Sequence, residues 1–191
     1  MRNSEKGLLV VLSSPSGGGK TTVIKKILNL HPKEYVYSIS MTTRPKRAGE
    51  TDGIDYFFVS RQEFEQHIRN GHLLEYENVH GQYYGTPLKP LNEWIEQNFV
   101  VLLDIDVYGA QKIKERYNRS LLVFIKPPDV NVLIERLKKR STESDKQIEK
   151  RLDRLPEEMA YAEKFDYIVV NDKLSDTVEK VHRRVKEYRK Q

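Results

Sequence analysis

Residues Ser14-Pro15-Ser16-Gly17-Gly18-Gly19-Lys20-Thr21 combine the residue types that hold a polyphosphate. Consecutive glycines let the backbone wrap an anion closely with its N–H groups turned inward, and a helix starting there adds the positive end of its dipole. Lys20 is spaced to reach the β- and γ-phosphates, and the Thr21 hydroxyl to sit on Mg²⁺. A glycine-rich turn works this way only between a strand and a helix. Both flanks meet that condition. The run Leu8-Leu9-Val10-Val11-Leu12 is short, branched and apolar, and Val23, Ile24, Ile27 and Leu28 recur at helical spacing.

Other groups could complete a phosphate site. Asp104 and Asp106 close the apolar run Phe99–Leu103, where strand alternation puts both carboxylates on one face at the strand's carboxyl end. Ligands bind at that edge of open α/β sheets, and a carboxylate there can organise Mg²⁺ through water or accept hydrogen bonds from a base. Two solvated turn acids are the plainer alternative. Arg44 and Arg47 frame a turn whose guanidinium forks suit a monophosphate, with Tyr56, Tyr83 and Tyr84 as phenolic donors. A solvated basic turn with packed tyrosines fits the local sequence equally well. Arg136 and Arg140, four apart on one predicted helix, and Arg151 on the next could close over transferring phosphates. Pairing with Glu135 or Glu149 is the alternative for at least one of them. Asn171-Asp172 follow a short apolar run, where an adenine could lie or where the chain merely turns. The five histidines show no metal spacing and no nucleophile partner, and receive no chemistry.

These groups need a scaffold. Apolar runs at 35–39, 99–105, 121–125 and 167–170 read as strands. Helical patterns lie between or after them, at Phe64 and Ile68, at Val130, Leu133, Ile134 and Leu137, and at Val178, Val181, Val185 and Tyr188. The alternation predicts an α/β fold around a mainly parallel sheet flanked by helices. Two stretches interrupt it. Residues 38–90 carry polar turns and many tyrosines and read as an inserted lobe. Residues 127–156 read as a charged helix–turn–helix lid, started by Pro127-Pro128-Asp129 and with a capping box at Ser144 and Gln147.

The 191-residue length suits one compact domain with small insertions. No apolar run approaches the roughly 20 residues that cross a bilayer, and the short polar start leaves no room for a signal peptide, so a cytoplasmic address is expected. Cysteine is absent, which excludes disulfides and thiolate metal sites. A net charge of +5 fits a small anionic substrate. Acidic and basic residues are interleaved without a basic block, which argues against nucleic acid as the main partner.

Taken in order, Ser16-Gly17-x-Gly19-Lys20, Thr42-Thr43-Arg44-Pro45-x-Arg47-x-Gly49-Glu50, Gly53-x-Asp55-Tyr56-x-Phe58, Tyr83-Tyr84-Gly85-Thr86, Asp104-Ile105-Asp106 and Val170-Asn171-Asp172 resemble the motifs of the guanylate kinases. The resemblance runs from about Gly7 to Tyr188. It implies a P-loop NTPase core (1–37, 91–126 and 157–191), a GMP-binding lobe (38–90), a lid (127–156), and Mg²⁺-dependent phosphoryl transfer from ATP to GMP or dGMP. It also implies an ATP site over Ser14, Pro15, Ser16, Gly17, Gly18, Gly19, Lys20, Thr21 and Thr22, with Asn171 at the base. Ser40, Glu75, Thr86 and Asp106 look like guanine contacts, and Arg44, Arg47, Tyr56 and Tyr84 like the GMP phosphate clamp. Lys20, Arg44, Arg136, Arg140 and Arg151 look like the charge-stabilising catalytic set. Asp104, on the GMP side, resembles the acid near Mg²⁺, together with Thr21. ATP and GMP are the implied partners, with neither nucleic acid nor membrane, and a homo-oligomer is left open. Ser14 stands where the family pattern has glycine; were that position to require positive φ, the serine would strain the turn.

Three other readings compete. A kinase for a phosphorylated ribose would share the cradle and lid but has no use for Glu75 and Asp106. A non-catalytic module binding phosphorylated peptides would have no use for Gly19-Lys20-Thr21. A GTPase would carry an Asn-Lys-x-Asp guanine motif, which the sequence lacks.

Overall fold

The computed structural model describes residues 6–15, 17–79, 81–117, 119–139 and 152–191, of which 136–139 are described in backbone only. The first strand, β1 (Leu8–Ser13), is buried at every position. It lies at the centre of a five-stranded sheet with β2 (Tyr35–Tyr37), β7 (Val100–Asp104), β8 (Ser120–Lys126) and β9 (Tyr167–Val170), in the order β2-β7-β1-β8-β9. All four pairings are parallel. A central strand with both faces covered reads as a continuous apolar run, which is why Leu8–Leu12 shows no alternation.

Alternate β1 side chains feed two cores. Leu8, Val10 and Leu12 pack with Val23 and Ile27 of α1 (Lys20–Leu30) and with Val178, Val181 and Val185 of the C-terminal helix, α7 (Leu174–Arg189). Leu9 and Val11 face the other way, onto Leu91 of α3 (Leu88–Glu96) and Ala110 and Ile113 of α4 (Val107–Arg116). The mainly parallel, helix-flanked sheet anticipated from the alternating pattern is therefore present.

Two helices carry no clear signal in the sequence. The buried face of α4 includes Gly109 and Ala110, which are too small to register as an apolar stripe. In α3, Pro90 reads as a breaker, yet it occupies the first turn, where its missing N–H costs no intrahelical bond. The first of the later strands is also shorter than expected, ending at Tyr37.

A second sheet, in the order β4-β3-β6-β5, is built from β3 (Met41–Thr42), β4 (Phe57–Phe58), β5 (Leu73–Val79) and β6 (Gln82–Pro87). It packs on α2 (Arg61–Arg69) through Met41, Phe64 and Leu73. A capping box fixes the start of that helix, with Ser60 accepting from the Glu63 N–H and Glu63 accepting from the Ser60 N–H. Further along, α5 (Val130–Lys139) begins where the Asp129 carboxylate accepts from the Asn131 N–H at 2.6 Å. Leu133 packs there with Leu155 of α6 (Leu155–Ala160), forming a small core apart from the main ones. Ser144 and Gln147 lie outside the described residues.

Candidate active site

The loop between β1 and α1 is a backbone nest. Gly17 and Gly19 adopt φ of 84° and 97°, conformations that side chains resist, and between them the Gly18 N–H donates to the Pro15 carbonyl at 2.9 Å, closing the turn that leads into α1. Among the described residues, Asn98 is the one non-glycine with positive φ, so Ser14 is not in the strained conformation that the sequence left open. Its side chain instead fills the inside of the loop. The Ser14 hydroxyl donates to the Pro15 carbonyl at 2.9 Å, and a Cβ on Gly18 would come within 2.8 Å of Ser14 Cβ and Oγ. The serine thus moves the need for glycine to position 18. Ser16 lies outside the described residues, and Thr22 is exposed on the first turn of α1.

Lys20 reaches back over the nest, donating to the Ser14 carbonyl at 3.4 Å and standing 3.6 Å from Asp104 Oδ1. Thr21 Oγ1 donates to Asp104 Oδ2 at 2.9 Å. Lysine, threonine hydroxyl and carboxylate therefore meet at the mouth of the cradle. The Thr21 and Asp104 oxygens are a donor set suited to Mg²⁺, a hard cation that takes few protein ligands and fills its shell with water and phosphate. Among the described residues no group of three His, Cys, Asp or Glu converges on one point, so most of that shell would come from nucleotide and water.

Asn171 supports the cradle from the end of β9. It is buried at 5% exposure, donates from Nδ2 to the Gly18 carbonyl at 3.0 Å and accepts from Thr177 Oγ1 at 3.2 Å. Its amide anchors the cradle from behind.

Opposite the cradle, Arg44 is held on several sides. Its guanidinium forks onto Glu50 at 2.8 and 3.0 Å, donates to Tyr84 Oη at 3.2 Å and to the Pro45 carbonyl at 2.7 Å, and lies over the Tyr56 ring. The Arg44 hydrogen bonds hold the Glu50 carboxyl below the usual carboxylate range. Glu50 also accepts the Arg47 N–H at 2.8 Å, closing the 44–50 turn. Arg47 itself is exposed. Glu50 received no role from the sequence, although its place beside Gly49 at the end of the arginine turn was the available signal. Burial and the nearby Asp104 charge push the Tyr56 phenol up to about 12, so it stays a hydrogen-bond donor at neutral pH.

Between these groups lies a 450 Å³ channel lined by Ser14, Lys20, Arg44, Arg47 and Tyr56, and also by Arg154 and Glu158. Neither of the last two was singled out in the sequence. Arg154 precedes α6 and lies over the Tyr108 ring. Arg136 falls in the backbone of α5 with its side chain outside the described residues, where all of Arg140 and Arg151 also lie.

The channel shares Tyr56, Tyr84 and Asp106 with a smaller 200 Å³ pocket that Ser40, Glu75 and Asp104 also line. Glu75, on β5, is buried at 5% exposure and accepts from Thr86 Oγ1 at 2.6 Å. Burial pushes its carboxyl up to about 7; the Thr86 bond opposes that shift, and the Asp106 and Glu77 charges reinforce it. Asp106 is not strand-borne, since β7 ends at Asp104. It is the N-cap of α4, with Oδ1 accepting from the Tyr108 and Gly109 N–H groups at 2.9 and 2.8 Å. Capping fixes one oxygen, and the carboxylate still lines the pocket. Tyr37, behind these groups, is also raised, by burial and then by Asp104.

A parallel sheet whose central strand runs into a glycine nest, lysine and helix defines the class of phosphate-loop nucleotide-binding proteins. Comparison with known proteins narrows this. The family model for guanylate kinase matches residues 6–188. Guanylate kinases of Streptococcus thermophilus (strain CNRZ 1066) and Streptococcus agalactiae serotype III are each 47% identical over 180 residues, covering 94% of this chain and 86% of theirs. The crystal structure of guanylate kinase from Anaplasma phagocytophilum superimposes with a TM-score of 0.80 at 32% identity, over 98% of this chain and 89% of that one. The chain belongs to the guanylate kinase family.

Proposed function

We propose that the protein transfers the γ-phosphoryl group of ATP to GMP or dGMP, giving ADP and GDP or dGDP. The observation that carries this is the shared wall between channel and pocket. Two carboxylates, Glu75 and Asp106, sit in a small pocket that opens directly onto the Arg44–Tyr56 clamp and the Lys20 cradle. A carboxylate pair accepts from guanine N1–H and the 2-amino group; adenine offers no such donor pair. Ser40 and Thr86 support that recognition, Thr86 by holding Glu75 in place.

A GMP phosphate oxygen attacks the γ-phosphorus in line, the bond to the β,γ-bridging oxygen breaks, and ADP leaves. The acceptor is already an anion, so alignment and charge neutralisation do most of the work. Lys20 and the N–H groups of Gly17 and Gly19 hold the ATP phosphates, with Ser14, Pro15 and Gly18 shaping the loop, the Gly18 N–H donating to the Pro15 carbonyl at 2.9 Å. Arg44, Arg47, Tyr56 and Tyr84 take the GMP phosphate, which competes with Glu50 for the Arg44 fork. Arg136, Arg140 and Arg151 supply further positive charge from a lid over 127–156, with Arg154 at its base. Thr21 and Asp104 would hold Mg²⁺, which when bound offsets charge on the phosphates. Residues 38–90 form the GMP-binding lobe of this reading, and 1–37, 91–126 and 157–191 the core.

No described helix is long and apolar enough to cross a membrane. The reaction belongs in the cytoplasm, where its nucleotides are, within purine nucleotide metabolism.

The test is ADP release with ATP and Mg²⁺ and, separately, GMP, dGMP, AMP, UMP, CMP or a ribose bisphosphate. Turnover that favours the guanine nucleotides is expected. Preference for another acceptor would overturn the pocket assignment, and none at all from folded protein would overturn the kinase.

A further inference from the structure

The guanine reading, on which this inference rests, requires two carboxylates from different elements to face one base. Glu75 belongs to β5 of the small sheet, and Asp106 caps α4 on the large one. Three residues on one stripe of α4 span that join. Gly109 lets β5 approach: a Cβ there would stand 3.2 Å from Glu75 Oε2 and 2.6 Å from an Ile105 methyl. One turn on, Lys112 forms an ion pair with Glu77 of β5. After another turn, Arg116 donates from Nη1 to the Leu74 carbonyl at 2.7 Å. Leu74 and Glu77 flank Glu75 in the strand, so the two basic side chains hold β5 on either side of the base-reading carboxylate.

We propose that Lys112 and Arg116 are positioning residues for guanine recognition, fixing β5 against α4 so that Glu75 and Asp106 present one continuous acceptor edge. Neither lines the base pocket. Lys112 has a second effect, because among the described residues it is the cation whose charge acts on Glu75. The titratable groups around Glu75 are Glu77 on its own strand, Asp106 and Lys112 on α4, Asp104 at the end of β7, and Tyr56 and Tyr84 across the pocket. A purely structural clamp would not influence the ionisation of Glu75; an ammonium facing this cluster does.

The experiment is steady-state kinetics of the full chain with Lys112→Met, Arg116→Met and the double variant. The GMP KM should rise roughly threefold to fivefold for Lys112→Met, and roughly tenfold or more for Arg116→Met, which loses a charged donor to a backbone carbonyl. Turnover at saturating GMP and the ATP KM should stay near wild type. In Lys112→Met the acid limb of 1/KM for GMP should also move to higher pH, and the defect of Lys112→Glu should be rescued in part by Glu77→Lys. An unchanged GMP KM and pH limb in folded variants, with wild-type GMP turnover intact, overturns this inference alone. Absence of GMP turnover in the wild type overturns the guanine reading beneath it. Should a variant fold poorly, the coupling between positions 77 and 112 in GMP KM, taken from the four-member cycle, decides the question; zero coupling overturns the inference.

Discussion

At the scale of single residues, Glu75 is the most consequential group in the molecule. Its carboxyl sits near neutrality because it is buried, with Thr86 the main opposing influence. A carboxyl raised above its unfolded value stabilises the fold most below that unfolded value. This contribution is lost as pH rises through about 7. Guanine binding runs the other way, since accepting two N–H groups requires the ionised form. The GMP KM should therefore climb as pH falls below about 7, while the ATP KM stays flat. Glu75→Gln should raise the GMP KM and remove that acid limb, and an unchanged limb would assign it to another group. Lys20→Ala should lower turnover by about 10²–10³-fold, the range for removing one preorganised charge stabiliser. Near-normal kcat in the folded variant would refute its role over the phosphates.

Elements show a different division between what sequence reveals and what it hides. The cradle is legible because its parts are contiguous, in strand, glycines, lysine and helix. Its supports are not. Ser14 against Gly18 is a packing relation, and Asn171 reaches Gly18 from the far end of the chain, so no local pattern announces either. Likewise Asp104 and Asp106 read as one strand edge, whereas the strand stops between them and the second acid caps a helix. Helix α4 escaped notice because the small residues that let β5 approach are the ones that weaken an apolar signature. Gly18→Ala should impair ATP binding because the new methyl meets Ser14 and, at 3.0 Å, the Pro15 carbonyl, and Ser14→Gly should restore part of it in the double variant. Fluorescent ATP-analogue titration checks this, and equal loss with and without Ser14→Gly would mean the clash lies elsewhere.

Across the whole molecule, the last helix ties the chain's two ends to the sheet. Arg189, 8% exposed, donates to the Lys6 carbonyl at 3.2 Å and to the Asn98 carbonyl at 3.0 Å, joining the segments that enter β1 and β7. Arg189→Leu leaves those carbonyls without this donor and should lower stability by about 1–3 kcal/mol. Urea unfolding would show a lower midpoint with an unchanged m-value, and an unshifted midpoint would mean water replaces the guanidinium without loss.

The central place of β1 has one more consequence, for synthesis. Its neighbours in the sheet are residues 100–104 and 120–124. The phosphate loop is thus translated well before the two strands that frame it. For as long as translation takes to deliver β7 and β8, β1, which is buried at every position in the fold, lacks both of its sheet neighbours. A nascent chain arrested before residue 100 should lack the cradle entirely, and nucleotide added during translation can bind only once β7 and β8 have closed around β1.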